Sequence, residues 1–141
     1  MHAFFKAAVL ILGPLACTVA AAADAADFRC TIEKRVGAPS EPPALRAAYE
    51  KAHVGKQFTV ERKSGIMSGA LKNAFLADPE IIDDGASGKA YRVLTVIRSG
   101  ESDIYGPGVY ALVIEASTSP AGGPFVFLED RVVYSGRCAQ Q

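Results

Sequence analysis

Histidine is the scarcest chemistry-bearing residue here, with two copies in 141 residues. One of them, His2, belongs to an N-terminal stretch that reads as a leader. His53 is then the single imidazole left, which excludes a multi-histidine zinc site and the paired histidines of a zinc-protease helix. A Gly-x-Ser-x-Gly elbow is also missing, so a Ser-His-Asp triad would have to recruit His53 without the turn that exposes its serine. Cys-x-x-Cys spacing is absent, and with it the common layout of redox and metal-binding thiols. "DDGASG" lacks the alternating ligands and terminal glutamate of a calcium loop. Charge of one sign is lacking as well: 15 Lys and Arg balance 15 Asp and Glu. These charges are interspersed, so there is neither a basic stripe for nucleic acid nor a basic amphipathic helix for a membrane surface. No cofactor motif, metal set, internal repeat or low-complexity tract is visible.

The chain opens with Lys6, an apolar stretch from Ala7 to Val19 broken by Gly13-Pro14, and the small residues Ala20 to Ala26 around Asp24. That is the layout of a secretory signal peptide. A membrane-spanning helix needs about 20 uninterrupted apolar residues, so cleavage is expected rather than a membrane span. The expected signal peptide is 1–25, with a cut after Ala25 and an alternative after Ala23, leaving 26–141 as one domain. Cys17 would carry lipid only if a lipoprotein signal preceded it. Pro14 occupies the position where such a signal wants leucine, so Cys17 is read as a leader residue without a lipid anchor. The predicted location is periplasmic or secreted.

Removal of the leader leaves Cys30 and Cys138, one near each end of the mature chain. An even pair in an oxidising compartment predicts a disulfide. Its expected role is to tie the first strand to the last and hide edges that would otherwise invite aggregation.

Alternation outweighs helical spacing along the rest of the chain. In "FRCTIEKRV", Phe28, Cys30 and Ile32 share one face, as in a half-buried strand. "PPALRAAYEKAHVG" predicts one short helix, Pro43 to His53, with Ser40 as N-cap, Gly55 at the C-terminal end, and Leu45, Ala48, Tyr49 and Ala52 on one stripe. "KQFTVERKSGIMSGALKN" predicts a hairpin turning at Ser64-Gly65, with Gly69 marking a bulge or a close backbone approach. "DPEIIDDGASGK" reads as polar turn material around Ile81-Ile82. "AYRVLTVIR" and "GVYALVIEA" are the strongest strands. "SPAGGP" is a turn, and "PFVFLEDRVVYSGRC" is a strand or strand pair bending near Glu129-Asp130. About six strands with one helix and no βαβ alternation predict a mainly β fold: an antiparallel sheet curled into a small barrel or sandwich, stapled by one disulfide.

The segment "FTVERKSGIMSGALKN", together with "PFVFLEDRVVYSGRC", resembles stretches of small secreted bacterial proteins to which no activity is attached. The likeness covers roughly half of the mature chain and rests on turn glycines and strand residues. It implies export and a β-rich fold, and no catalytic residue or cofactor comes with it.

Function has to come from loops or clusters. "SGESDIYGPG" presents Glu101, Asp103, Ile104 and Tyr105 between glycines, a candidate partner-binding loop. Asp78, Glu80, Asp83 and Asp84 crowd one region and could supply paired carboxylates. His53 reads as a helix-end residue, favourable there when protonated. The expected function is a noncatalytic exported module that binds a protein, a wall component or a small ligand. The alternatives are a small carboxylate-dependent hydrolase and a lipocalin-like carrier of an apolar ligand.

Overall fold

A computed structural model describes residues 27–73, 77–101, 106–119 and 122–141. The leader, both cut positions and Cys17 lie outside the described residues. Among the described residues there are eight strands: β1 (Phe28–Val36), β2 (Gln57–Val60), β3 (Met67–Gly69), β4 (Glu80–Asp84), β5 (Tyr91–Ile97), β6 (Gly108–Ile114), β7 (Gly123–Glu129) and β8 (Val132–Gln140). The α-helix α1 (Pro43–His53) joins β1 to β2, and a 3₁₀ turn, Ala86–Gly88, precedes β5.

All neighbours are antiparallel, in the order β3-β2-β1-β8-β7-β6-β5-β4, and the sheet curls into a half-barrel. Two meanders therefore meet at the β1–β8 ladder, where Cys30 lies opposite Cys138 and is disulfide-bonded to it. This corrects one expectation. The first and last strands sit in the middle of the sheet, so the disulfide hides no edge. The edges are β3, only three residues long, and β4, which carries Glu80, Asp83 and Asp84. Shortness and charge discourage further strand pairing at both.

Alternation works as the sequence predicts. Phe28, Cys30 and Ile32 point inward from β1, joined by Phe58 and Val60, Tyr91 and Val93, Leu112 and Ile114, and Phe125 and Phe127. Phe58 meets Phe125 edge-on with ring centroids 5.2 Å apart, a favoured aromatic geometry. A bulge between Ile32 and Lys34 shifts the β1 register, so that Arg35 rather than Lys34 faces inward. Gly136 lies opposite Ile32, and a Cβ there would stand 2.0 Å from the Thr31 carbonyl oxygen. The close approach of β1 and β8 at the bulge thus requires glycine.

The predicted hairpin forms, with Gly65 at φ +75° in its turn. Gly69 sits where a Cβ would lie 2.9 Å from the Gln57 carbonyl oxygen, the close approach its position suggested. The segment around Ile81-Ile82, read as polar turn material, contains β4, and three acids on this edge strand explain why it looked like a loop. The C-terminal segment is two strands, turning at Asp130 with φ +50°.

Helix α1 has the predicted limits, but Pro42 stands at its N-cap with no side-chain hydrogen bond and Val54 at its C-cap. Ser40 is not the cap. None of its residues is buried, so the Leu45 stripe does not enter the core. Instead the helix touches the end of β1 through Arg35. The Arg35 guanidinium lies 4.8 Å from the Tyr49 ring centroid, and its two terminal nitrogens donate to Glu41 at 2.8 and 2.6 Å. His53 stacks near Tyr134, with ring centroids 5.3 Å apart.

Candidate functional site

The end of the half-barrel away from α1 is concave. Phe28 and Arg35 mark opposite ends of β1, about 23 Å apart at roughly 3.3 Å per residue. At the Phe28 end, β1, β5, β6, β7 and β8 converge around a cleft of about 380 Å³. Its apolar floor includes Phe28, Tyr91 and Ile114, and the disulfide half Cys138 adjoins. Its rim carries Arg62, Lys89, Glu115 and the run Ser117, Thr118 and Ser119.

Arg62 is held before any ligand arrives. Its Nε and one terminal nitrogen donate to the Asp84 carbonyl oxygen at 3.1 and 2.8 Å, and its guanidinium lies 5.5 Å from the Phe28 ring centroid. Its backbone N–H donates to the Asp27 carboxylate at 3.0 Å, and its carbonyl accepts from the Tyr91 hydroxyl at 3.0 Å. These contacts join the β2–β3 turn to the end of β4, where the two free edges of the sheet face each other without a backbone ladder. Burial pushes the Tyr91 hydroxyl up to about 12, with Arg62 opposing the rise and Asp27 and Glu61 adding to it. Tyr91 therefore remains a neutral donor at ordinary pH.

Arg62 donates to carbonyl oxygen and not to a carboxylate. A guanidinium fixed in this way has met its ordering cost, although the Asp27 carboxylate on its own backbone N–H offsets part of its charge. Lys89 brings a second cation from the turn before β5, and among the described residues of the lining Glu115 is the one carboxylate. Two cations against one acid, with hydroxyls nearby, suit a small ligand bearing an oxyanion.

The residues singled out from sequence are distributed differently. Cys30 and Cys138 are brought together as the disulfide. Glu101 closes a surface turn by accepting the Arg98 backbone N–H at 2.6 Å. Asp103, Ile104 and Tyr105 lie outside the described residues. Asp83 pairs with Arg92 at 3.2 Å, and its other oxygen accepts the Gly85 N–H. Asp84 accepts the Ala86 N–H at 2.8 Å. Asp78 and Glu80 are exposed. These acids serve the edge strand and the turn after it, and they do not converge on a cavity. His53 ends α1 as expected, its Nδ1 lying 2.8 Å from the Tyr49 carbonyl oxygen. Among the described residues no group of three or more His, Cys, Asp or Glu is placed to hold a metal ion. No helix among them is long and apolar enough to cross a membrane.

At the α1 end, the hydrogen bonds from Arg35 hold the Glu41 carboxyl below its usual range, the guanidinium charge adding to the effect. Burial raises the Tyr134 hydroxyl. This cluster fastens the helix, and beside it His53, Leu71 and Glu129 border a smaller hollow of about 130 Å³.

The cleft residues escaped the sequence reading because they come from five strands and from the separate turns that carry Arg62, Lys89 and Ser117, spread between Phe28 and Gln140. "STS", following a strong strand, was the one local signal. No family model matches the chain, and no curated protein or solved structure does so either.

Proposed function

We propose that the chain is a noncatalytic exported binding module whose barrel-end cleft takes a small ligand carrying a carboxylate or a similar oxyanion. The observation that carries this reading is the lining of the cleft: a pre-held Arg62, Lys89 and a hydroxyl run against the single acid Glu115. Export is supported by the Cys30–Cys138 bond, which persists in oxidising compartments. A wall fragment or sugar acid fits the cleft chemistry better than a neutral apolar molecule. A carrier of apolar cargo needs a hollow where Phe58, Tyr91, Phe125 and Phe127 stand, each 1 % exposed. A carboxylate-dependent hydrolase needs at least two facing acids, and among the described residues the cleft lining offers Glu115 alone.

The test is an amide chemical-shift titration with glucuronate and N-acetylmuramate, using N-acetylglucosamine as the neutral control. Saturable shifts are expected at Lys89, Ser117, Thr118 and Gln140 with the acids, weakened by Lys89→Gln and absent with the neutral sugar. Equal response to the neutral sugar, or shifts clustered elsewhere, overturns the assignment.

A further inference from the structure

Strands with one wet face should alternate, and those in the first meander do: Arg29, Thr31 and Glu33 face out from β1, and Gln57 and Thr59 from β2. The second meander breaks the rule. "YRVLTVI", "GVYALVI" and "GPFVFLE" are apolar along most of both faces, with Arg92 the outward exception and Thr95 the inward one, a pattern closer to strands covered on both sides. Inward, Tyr91, Val93, Leu112, Ile114, Phe125 and Phe127 fill the core. Outward, the register aligns Leu94, Ala111, Leu128, Val133 and Val36 in one row across five strands. Val113 and Val126 pair in the next row, and Val96 pairs with Val109 on the other side. Val36, Val109 and Val126 are 51 %, 40 % and 49 % exposed. Helix α1 packs chiefly against the end of β1, with His53 reaching the inward-facing Tyr134 of β8.

The geometry points to a second copy of this chain as the occupant: two such outer faces pack against each other, sheet on sheet, about a two-fold axis. Four strands about 4.8 Å apart with three rows spaced by two residues span roughly 400 Å². Eight of the twelve positions, roughly 250 Å², are apolar, with Arg92, Ser135, Asp130 and Arg131 at the margins. A stable interface buries about 800 Å² per partner, with an apolar core inside a polar rim, so these rows supply the core of a standard dimer. Paired sheets accept one another with strands nearly aligned. The rim carries both signs already neutralised, Asp83 with Arg92 and Asp130 with Arg131, so like charges do not oppose self-association. The chain's zero net charge adds no long-range repulsion. This surface is separate from the cleft, and either assignment can fail without the other.

The test is sedimentation velocity on the oxidised protein, purified as it accumulates in its host. A two-chain mass is expected at tens of micromolar, converting to a one-chain mass in Val126→Asp. Thr59→Asp, on the outer face of the first meander, should leave the two-chain mass unchanged. Should Val126→Asp fail to fold by circular dichroism, Val109→Lys takes its place. Hydrogen exchange on the unaltered protein adds a readout free of substitution, with β6 and β7 amides becoming less protected on dilution. A one-chain mass throughout overturns the proposal, whether the face is then bare, covered by residues 1–26 of the same chain, or captured by added phosphatidylglycerol vesicles. A two-chain mass that Val126→Asp and Val109→Lys both leave intact overturns it too.

Discussion

Opening the Cys30–Cys138 bond should lower stability by an amount set mainly by the length of chain it closes. The two residues are 108 apart in sequence, and the chain-entropy relation gives about 4.8 kcal/mol at 25 °C for a loop of that length. For a domain of this size each kcal/mol moves Tm by about 3–5 °C, so a fall of roughly 15–20 °C is expected. Both cysteines are core residues, 0 % and 2 % exposed, and substitution therefore alters packing as well as the cross-link. Reduction removes no heavy atom, so it comes closer than substitution to isolating the cross-link. Cys30→Ala with Cys138→Ala adds a packing loss. Calorimetric melts of oxidised, reduced and doubly substituted protein should rank in that order, with most of the fall already present in the reduced form. A reduced protein melting within about 3 °C of the oxidised one, with free thiols confirmed by labelling, would show that the β1–β8 ladder alone constrains the chain and would refute the entropic account.

Three further outcomes are expected. Gly136→Ala should cost about 2–4 kcal/mol in urea unfolding, because its Cβ would strike the Thr31 carbonyl across the ladder. Gly88→Ala, with open space around it and φ +76°, should cost only about 1–2 kcal/mol of backbone strain; equal losses would show that the close approach at Gly136 does not matter. Because burial holds the folded Tyr91 value above the ordinary tyrosine value of 10.0, its contribution to stability is complete below that value and is lost as pH rises toward about 12. Tyr91→Phe should flatten that alkaline decline, as read from urea midpoints at stepped pH, and an unaltered slope counts against it. Glu41 works in the opposite direction. Its folded value is lowered by Arg35, so its stabilisation is present above the ordinary glutamate value and disappears as pH falls. Glu41→Gln should reduce stability at neutral pH and make its acid dependence shallower, whereas identical acid slopes would show the ion pair to be idle.

The strands and helix were legible where one local cause dominated. Alternation in "FRCTIEKRV" and the prolines before "ALRAAYEKAH" each specify a conformation without outside help. Ile81-Ile82 was missed because edge strands carry charge to deter pairing, which makes β4 look like a loop. Ser40 was a sound cap by residue type, but the chain from Gly37 to Pro42 is shaped by Glu41 folding back onto Arg35, a contact created by the bulge in β1. The cleft was illegible for a topological reason. Its residues come together only once the first meander docks on the last strand of the second.

That docking explains why two cysteines so far apart in sequence matter. The β1–β3 meander and the β4–β8 meander each form from local hairpins, but only the β1–β8 ladder joins them into one sheet. The disulfide lies within that ladder. On the far side of the half-barrel, where no ladder forms, Arg62 and Tyr91 span the gap through backbone carbonyls. One covalent and one polar seam thus hold the first meander against the second, and both seams border the cleft. The cleft lining draws on both meanders, Arg62 on one side and Lys89 and Thr118 on the other, so a ligand of the proposed kind would bridge them. It should therefore raise the stability of the reduced protein as well as the oxidised one, because the cleft is assembled by the ladder and does not depend on the sulfur bond. A ligand that stabilises only the oxidised form would show instead that the disulfide itself shapes the site.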